Sequence, residues 1–120
     1  MEQSVDQMLQ QGVAAHSQGN LQKAERLYKA TLQVQVKHPG ASHNLGLIAV
    51  SRKQSGIALP LFKSAIAVNP NIELFWLSHI ETLIKERQFA KATQTLTKGK
   101  RKNVAKEKLR ALTQELTLAK

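Results

Sequence analysis

The feature that most restricts this chain is a recurrence at 34 residues. Ala24, Ala58 and Ala92 fall in one register, Tyr28, Phe62 and Leu96 in a second, and Gly12, Gly46 and Ile80 in a third. A fixed interval of that length marks a supersecondary unit that cannot bury its apolar face alone and must stack on copies of itself. The unit is most legible from residue 43 to 70. Its first half places Leu45, Ala49 and Val50 on one helical face, with Gly46 where a facing helix must come close. Its second half sets Ala58, Phe62, Ala65 and Ile66 at i, i+4, i+7 and i+8, the spacing of an amphipathic helix, and Asn69-Pro70 closes it.

Laid along the chain, the template predicts three helical hairpins. The first covers 5–17 and 21–36 with its turn at Gly19-Asn20, the second 39–52 and 56–68, the third 72–86 and 89–102. Pro39 can open a helix because its fixed φ and missing N–H are harmless in a first turn. Pro60 falls inside a helix; with Gly56 as N-cap it forfeits only the first intrahelical hydrogen bond, a smaller loss than the ~3 kcal/mol of an interior proline. Asn103 suits a left-handed helix end. Beyond it Ala105, Leu109, Leu112 and Leu116, in steps of 4, 3 and 4, predict a seventh helix over about 104–118, covering the open end of the stack.

Leu45-Gly46, Ala58, Phe62 and Pro70 stand in the pattern W-x2-L-G-x2-Y, A-x3-F, P, and this stretch resembles a tetratricopeptide repeat. The resemblance covers about 5–102, as three repeats near 5–38, 39–72 and 73–103. It implies an all-α fold: a single α-solenoid domain over 1–120, coiled as a right-handed superhelix and capped at its C-terminal end. The first repeat departs most, with Met8 in the aromatic slot, Gln11 in the leucine slot and Val36 where a closing proline is usual. In the third, Trp76 fills the aromatic slot, Ile80 replaces the glycine and Gly99 replaces an alanine. The run NPNIELFWLSHIETLIK, 69–85, is also similar to the N-terminal tetratricopeptide segment of bacterial proteins with a downstream transferase domain. An ending at Lys120 inside a helical pattern fits a module of a longer polypeptide, and nearly as well a frayed natural terminus.

The resemblance implies that the first helix of each hairpin lines a concave face where ligands lie. Mapped here, that face has three rows: Leu9, His43, Leu77; Val13, Leu47, Glu81; and His16, Val50, Ile84, with Asn44 beside them. Six of the nine are apolar. Such a groove favours an amphipathic helix or an extended apolar segment, held through pockets more than through charge matching. The alternative is that these side chains are covered internally or by a second copy of the chain, since an open apolar strip is unusual for a monomer. A homodimer would use that groove, or the third hairpin with the cap. Some members of the family hold a carboxylate with lysine, arginine and asparagine on this face. Only Asn44 matches, Leu9, Val13, Leu74 and Ser78 taking the other slots, so carboxylate capture is not expected.

Composition narrows the remaining chemistry. There is no cysteine, which removes disulfides, thiol catalysis and thiolate metal sites and suits a reducing compartment. The acidic, polar start is unlike a secretory signal, and the longest apolar run, 45–50, is too short for a bilayer, so the expectation is a soluble cytoplasmic protein. The net charge is +10, concentrated late: residues 61–120 carry twelve Lys/Arg against five acids. The run Lys98, Lys100, Arg101, Lys102, Lys106, Lys108 and Arg110 reads either as a patch for polyanions or as a solvated helical face with cations at a helix C-terminus. No aromatic residue interrupts it, so single strands have no stacking platform and nucleic acid is not the expected partner. His16, His38, His43 and His79 lack ligand spacing, and no metal or cofactor is expected. Isolated glycines make no phosphate loop, and no acid–base pair is set in a pocket. The expectation is therefore a non-enzymatic protein-binding module. Its alternatives are a substrate-recruiting part of a larger transferase and a weak binder of nucleic acid or acidic surfaces.

Overall fold

A computed structural model of the chain describes residues 3–102 and 106–119. Among them are seven α-helices and no strand: α1 Val5–Ser17, α2 Leu21–Val34, α3 Pro39–Ser51, α4 Ser55–Val68, α5 Glu73–Lys85, α6 Phe89–Arg101 and α7 Lys106–Ala119. They pack as sequential hairpins in two layers. The odd helices touch in turn, α1 to α3 to α5 to α7, and each even helix rests on the odd helices before and after it. Among the described residues α2, α4 and α6 do not meet one another. The stack measures 51 × 27 × 21 Å, and its radius of gyration of 14.8 Å exceeds the ~13.6 Å expected for a compact chain of this length. It is a helical-repeat solenoid.

Local chemistry explains where the helices begin. Ser4 and Gln7 form a reciprocal capping box at α1, and the Asn20 side chain accepts from the Lys23 N–H at α2. At α3 the imidazole Nδ1 of His38 accepts from the Ala41 N–H, directly before Pro39 in the first turn. The ends of α1, α3 and α5 are alike. Gly19, Lys53 and Arg87 all adopt positive φ, at 79°, 59° and 59°, and the following N–H bonds back to Ala15, Ala49 and Leu83. The turn thus repeats every 34 residues although only its first copy is glycine.

Pro60 sits deeper than the sequence suggests. Helix α4 begins at Ser55 with Gln54 as N-cap, and the Ala58 N–H already bonds to the Gln54 carbonyl. Proline therefore removes the hydrogen bond to the Gly56 carbonyl, two steps into the helix. Gly56 is exposed, so water can satisfy that oxygen.

The 34-residue registers become contacts. Ala24, Ala58 and Ala92 are all fully buried, each in a cluster with its partner Tyr28, Phe62 or Leu96. A Cβ on Gly46 would lie 2.5 Å from Phe62 Cε1, and one on Gly12 would lie 2.6 Å from Tyr28 Cε1. These glycines let the two helices of a hairpin approach across an aromatic ring. In the third hairpin the smaller Leu96 leaves room for Ile80 in the glycine position. Gly99 serves the cap instead, since a Cβ there would meet Leu109 Cδ1 at 3.1 Å and Trp76 Cε3 at 3.3 Å. Leu109, Leu112 and Leu116 of α7 join Trp76, Leu77, Ile80 and Ile84 in one core cluster, and Lys108 pairs with Glu73 at 2.8 Å. The sequence expectations at Asn103, Val104 and Ala105 lie outside the described residues.

Candidate partner-binding faces

The odd-helix layer carries the candidate groove, and its three rows differ sharply in exposure. Val13 is 44% exposed on α1, Leu47 half-buried on α3 and Glu81 exposed on α5. This middle row is the open one. In the row His16, Val50, Ile84, the first two are half-buried while Ile84 retains only 6% of its surface. In the row Leu9, His43, Leu77, Leu9 is half-buried, but His43 and Leu77 keep 2% and 7%.

Three residues expected on an open groove are therefore packed inside. Leu77 and Ile84 share the cluster of the α7 leucines, because the last helix stacks on α5 as each odd helix stacks on the one before. His43 is enclosed where α3, α4 and α5 converge, tilted against Phe62 and Phe75 with ring centroids 5.4 and 4.9 Å away. Its two nitrogens are accounted for. The Asn44 Oδ1, an acceptor, lies 3.3 Å from Nδ1, so Nδ1 carries the proton and Nε2 accepts from the Ser78 hydroxyl at 2.7 Å. Burial pushes the His43 pKa below its ordinary value, the Asn44 bond opposing. His43 is thus an interhelical fastener, and Asn44, half-buried at its side, orients it.

What remains accessible is a short apolar strip on α1 and α3, made of Leu9, Val13, Leu47 and Val50, with a carboxylate at the α5 end. His16 borders it, its Nδ1 3.1 Å from the hydroxyl of the buried Tyr28. Burial raises the pKa of that phenol. Chemically this strip can hold an apolar side chain and pair with a cation at Glu81.

The basic run divides by environment. Lys100, Arg101 and Lys102 end α6, exposed, where its dipole favours positive charge. Lys106, Lys108 and Arg110 are exposed in the first turns of α7, Lys108 being the one paired with Glu73. Lys98 faces elsewhere. It lines a cleft of about 590 Å³ between α4 and α6, whose floor is Trp76, His79 and Leu83 of α5. In sequence His79 shows only as a histidine without ligand spacing, and the cleft joins residues far apart along the chain. The signal was available: His79 stands 34 residues after Leu45, in a slot that takes leucine.

Among the described residues no group of three His, Asp or Glu side chains is placed to hold a metal ion, and no helix is long and apolar enough to cross a membrane.

No family model and no curated protein matches the chain. Among solved structures it is similar to a point mutant of the O-GlcNAc transferase of Thermobaculum terrenum, with a TM-score of 0.73 and 22% identity. That likeness covers 81% of this chain and 19% of the transferase, so the chain spans about a fifth of the protein it matches. At this identity the likeness establishes the fold, a tetratricopeptide-like stack of helices.

Proposed function

We propose that the chain is a non-catalytic protein-interaction module that holds a partner segment along Val13, Leu47 and Glu81, flanked by Leu9, His16, Asn44 and Val50. The observation that carries this reading is the exposure of Val13 beside half-buried Leu9, Leu47 and Val50, in a layer where the matching Leu77 and Ile84 of the third hairpin are packed away. His43, Leu77 and Ile84 act behind this surface as its support. A fitting segment offers an apolar side chain to α1 and α3 and a lysine or arginine to Glu81. The test is capture of partners from lysate by the wild-type chain and by a Val13→Glu, Leu47→Glu variant. The variant should lose the captured protein while its circular dichroism keeps the helical signal. Capture that survives both substitutions removes the groove. Leu77→Glu is unsuitable here, because it would bury a carboxylate in the core.

A second reading is that the module recruits substrates for a larger transferase. The likeness over 19% of a transferase chain favours it. A reading frame that continues past Lys120 into a transferase domain would support it, and one that stops would remove it.

A further inference from the structure

The cleft between α4 and α6 exists because the even helices do not touch: each stands on α5, and α5 forms the bottom. Three of its lining residues are cationic, Lys63 on α4 and Lys91 and Lys98 on α6, and none is acidic. No ion pair engages these three lysines among the described residues. Trp76 and Leu83 make the bottom apolar. Between them His79 replaces the leucine of the repeat, and its Nδ1 is enclosed without a hydrogen-bond partner. Burial, and after it the charge of Lys63, push the His79 pKa down to about 4, so the ring is neutral at pH 7. The charged groups facing it from the neighbouring helices are lysines only.

An apolar floor under an unpaired positive rim is complementary to an apolar group flanked by carboxylates. The spacing selects the kind of ligand. Lys91 and Lys98 are seven residues apart on one helix, about 10 Å along its axis, and Lys63 stands on the opposite wall. One carboxylate cannot serve all three; a chain bearing several can. We propose that the α4–α6 cleft is a second binding site, separate from the Val13–Leu47 strip, for an acidic peptide segment that lays an apolar side chain on Trp76 and Leu83 and pairs its carboxylates with Lys63, Lys91 and Lys98.

Trp76 is the only tryptophan of the chain and forms part of the floor, its Nε1–H donating to the Pro70 carbonyl at 2.7 Å, so intrinsic fluorescence reports on this cleft. The probe is a capped hexapeptide, Glu-Asp-Leu-Phe-Asp-Glu, titrated at low salt beside its Gln/Asn counterpart and beside dodecanoate. The acidic peptide should give a saturable change that weakens at least tenfold in a Lys63→Gln, Lys91→Gln variant and falls steeply with added salt. Imidazole NMR should show the His79 pKa rising on binding, as the ligand's charge offsets Lys63. The Val13→Glu, Leu47→Glu variant should bind the peptide unchanged, so the groove and the cleft fail or stand separately. Equal response to the uncharged peptide, insensitivity to the lysine substitutions, an unmoved His79 titration, or a response to dodecanoate alone would each overturn the proposal.

Discussion

Replacing Gly46 by alanine sets two known effects against each other at one atom. In a helix interior alanine is favoured over glycine by about 1 kcal/mol. Here the new Cβ would meet Phe62 Cε1 at 2.5 Å, Cδ1 at 2.9 Å and Cζ at 3.1 Å, and Phe62 is fully buried. Comfortable carbon contacts are near 3.5–4 Å, so the ring or the helix must give by about 1 Å. Overpacking of this kind costs roughly 1–3 kcal/mol. With a Cβ contact this short the clash should win, leaving a net loss of up to about 2 kcal/mol, which in a domain of this size lowers Tm by up to roughly 10 °C. Thermal denaturation followed by circular dichroism measures it. The decisive comparison is the same substitution in a Phe62→Leu background, which copies the large-to-small exchange seen at Leu96 opposite Ile80. There the clash is gone, and Gly46→Ala should be neutral or raise Tm, a coupling of about 2 kcal/mol between the two positions. A Gly46→Ala variant more stable than the wild type, or an equal shift in both backgrounds, would refute the packing argument.

Two further predictions concern stability. Lys53→Gly and Arg87→Gly relieve positive φ at the ends of α3 and α5, and each should raise unfolding free energy in urea by about 1 kcal/mol; no gain from either would show that the turn holds no strain. Acid should destabilise the fold through His79: its folded pKa is about 4 against 6.5 in the unfolded chain, so the unfolded state binds the extra proton between those values. Its contribution is complete above pH 6.5 and fades as pH falls to about 4, by about 2 kcal/mol once its partial exposure is discounted. His43, also depressed, acts in the same direction. His79→Leu should flatten the stability profile between pH 6.5 and 4, and a profile of unchanged slope would assign the acid sensitivity elsewhere.

Much of the architecture was legible because it depends on side-chain volume at a fixed interval. Glycine opposite an aromatic ring and a buried alanine one turn before that ring are steric requirements that recur with the hairpin, and the order of residues displays them directly. Turn geometry was less visible. Lys53 and Arg87 occupy the left-handed position that only Gly19 advertises, because hydrogen bonding and packing on both sides hold the backbone there. Position within a helix also misled: Pro60 looked like a first-turn residue because Gly56 resembles a cap, while Gln54 takes that role.

The candidate site was legible only where exposure follows from the repeat alone. Val13 and Leu47 stay accessible because none of the described helices stacks over their row. Leu77 and Ile84 take on the third hairpin the places of half-buried Leu9 and Val50 but lie beside α7, and a periodic template cannot show what an added helix will cover. His43 looked like a groove residue until Ser78 and Asn44 supplied partners for both ring nitrogens. The outer cleft is not legible in sequence for a related reason: its lysines come from separate helices and meet only through the spacing of α4 and α6.

For the proposed function, partners must reach the strip formed by α1 and α3. A photo-crosslinking amino acid placed at position 13 or 47, with position 33 on α2 as control, tests this directly on the captured complex. Adducts from 13 and 47 and none from 33 are the predicted result; a partner that remains captured yet crosslinks from neither inner position would contradict it.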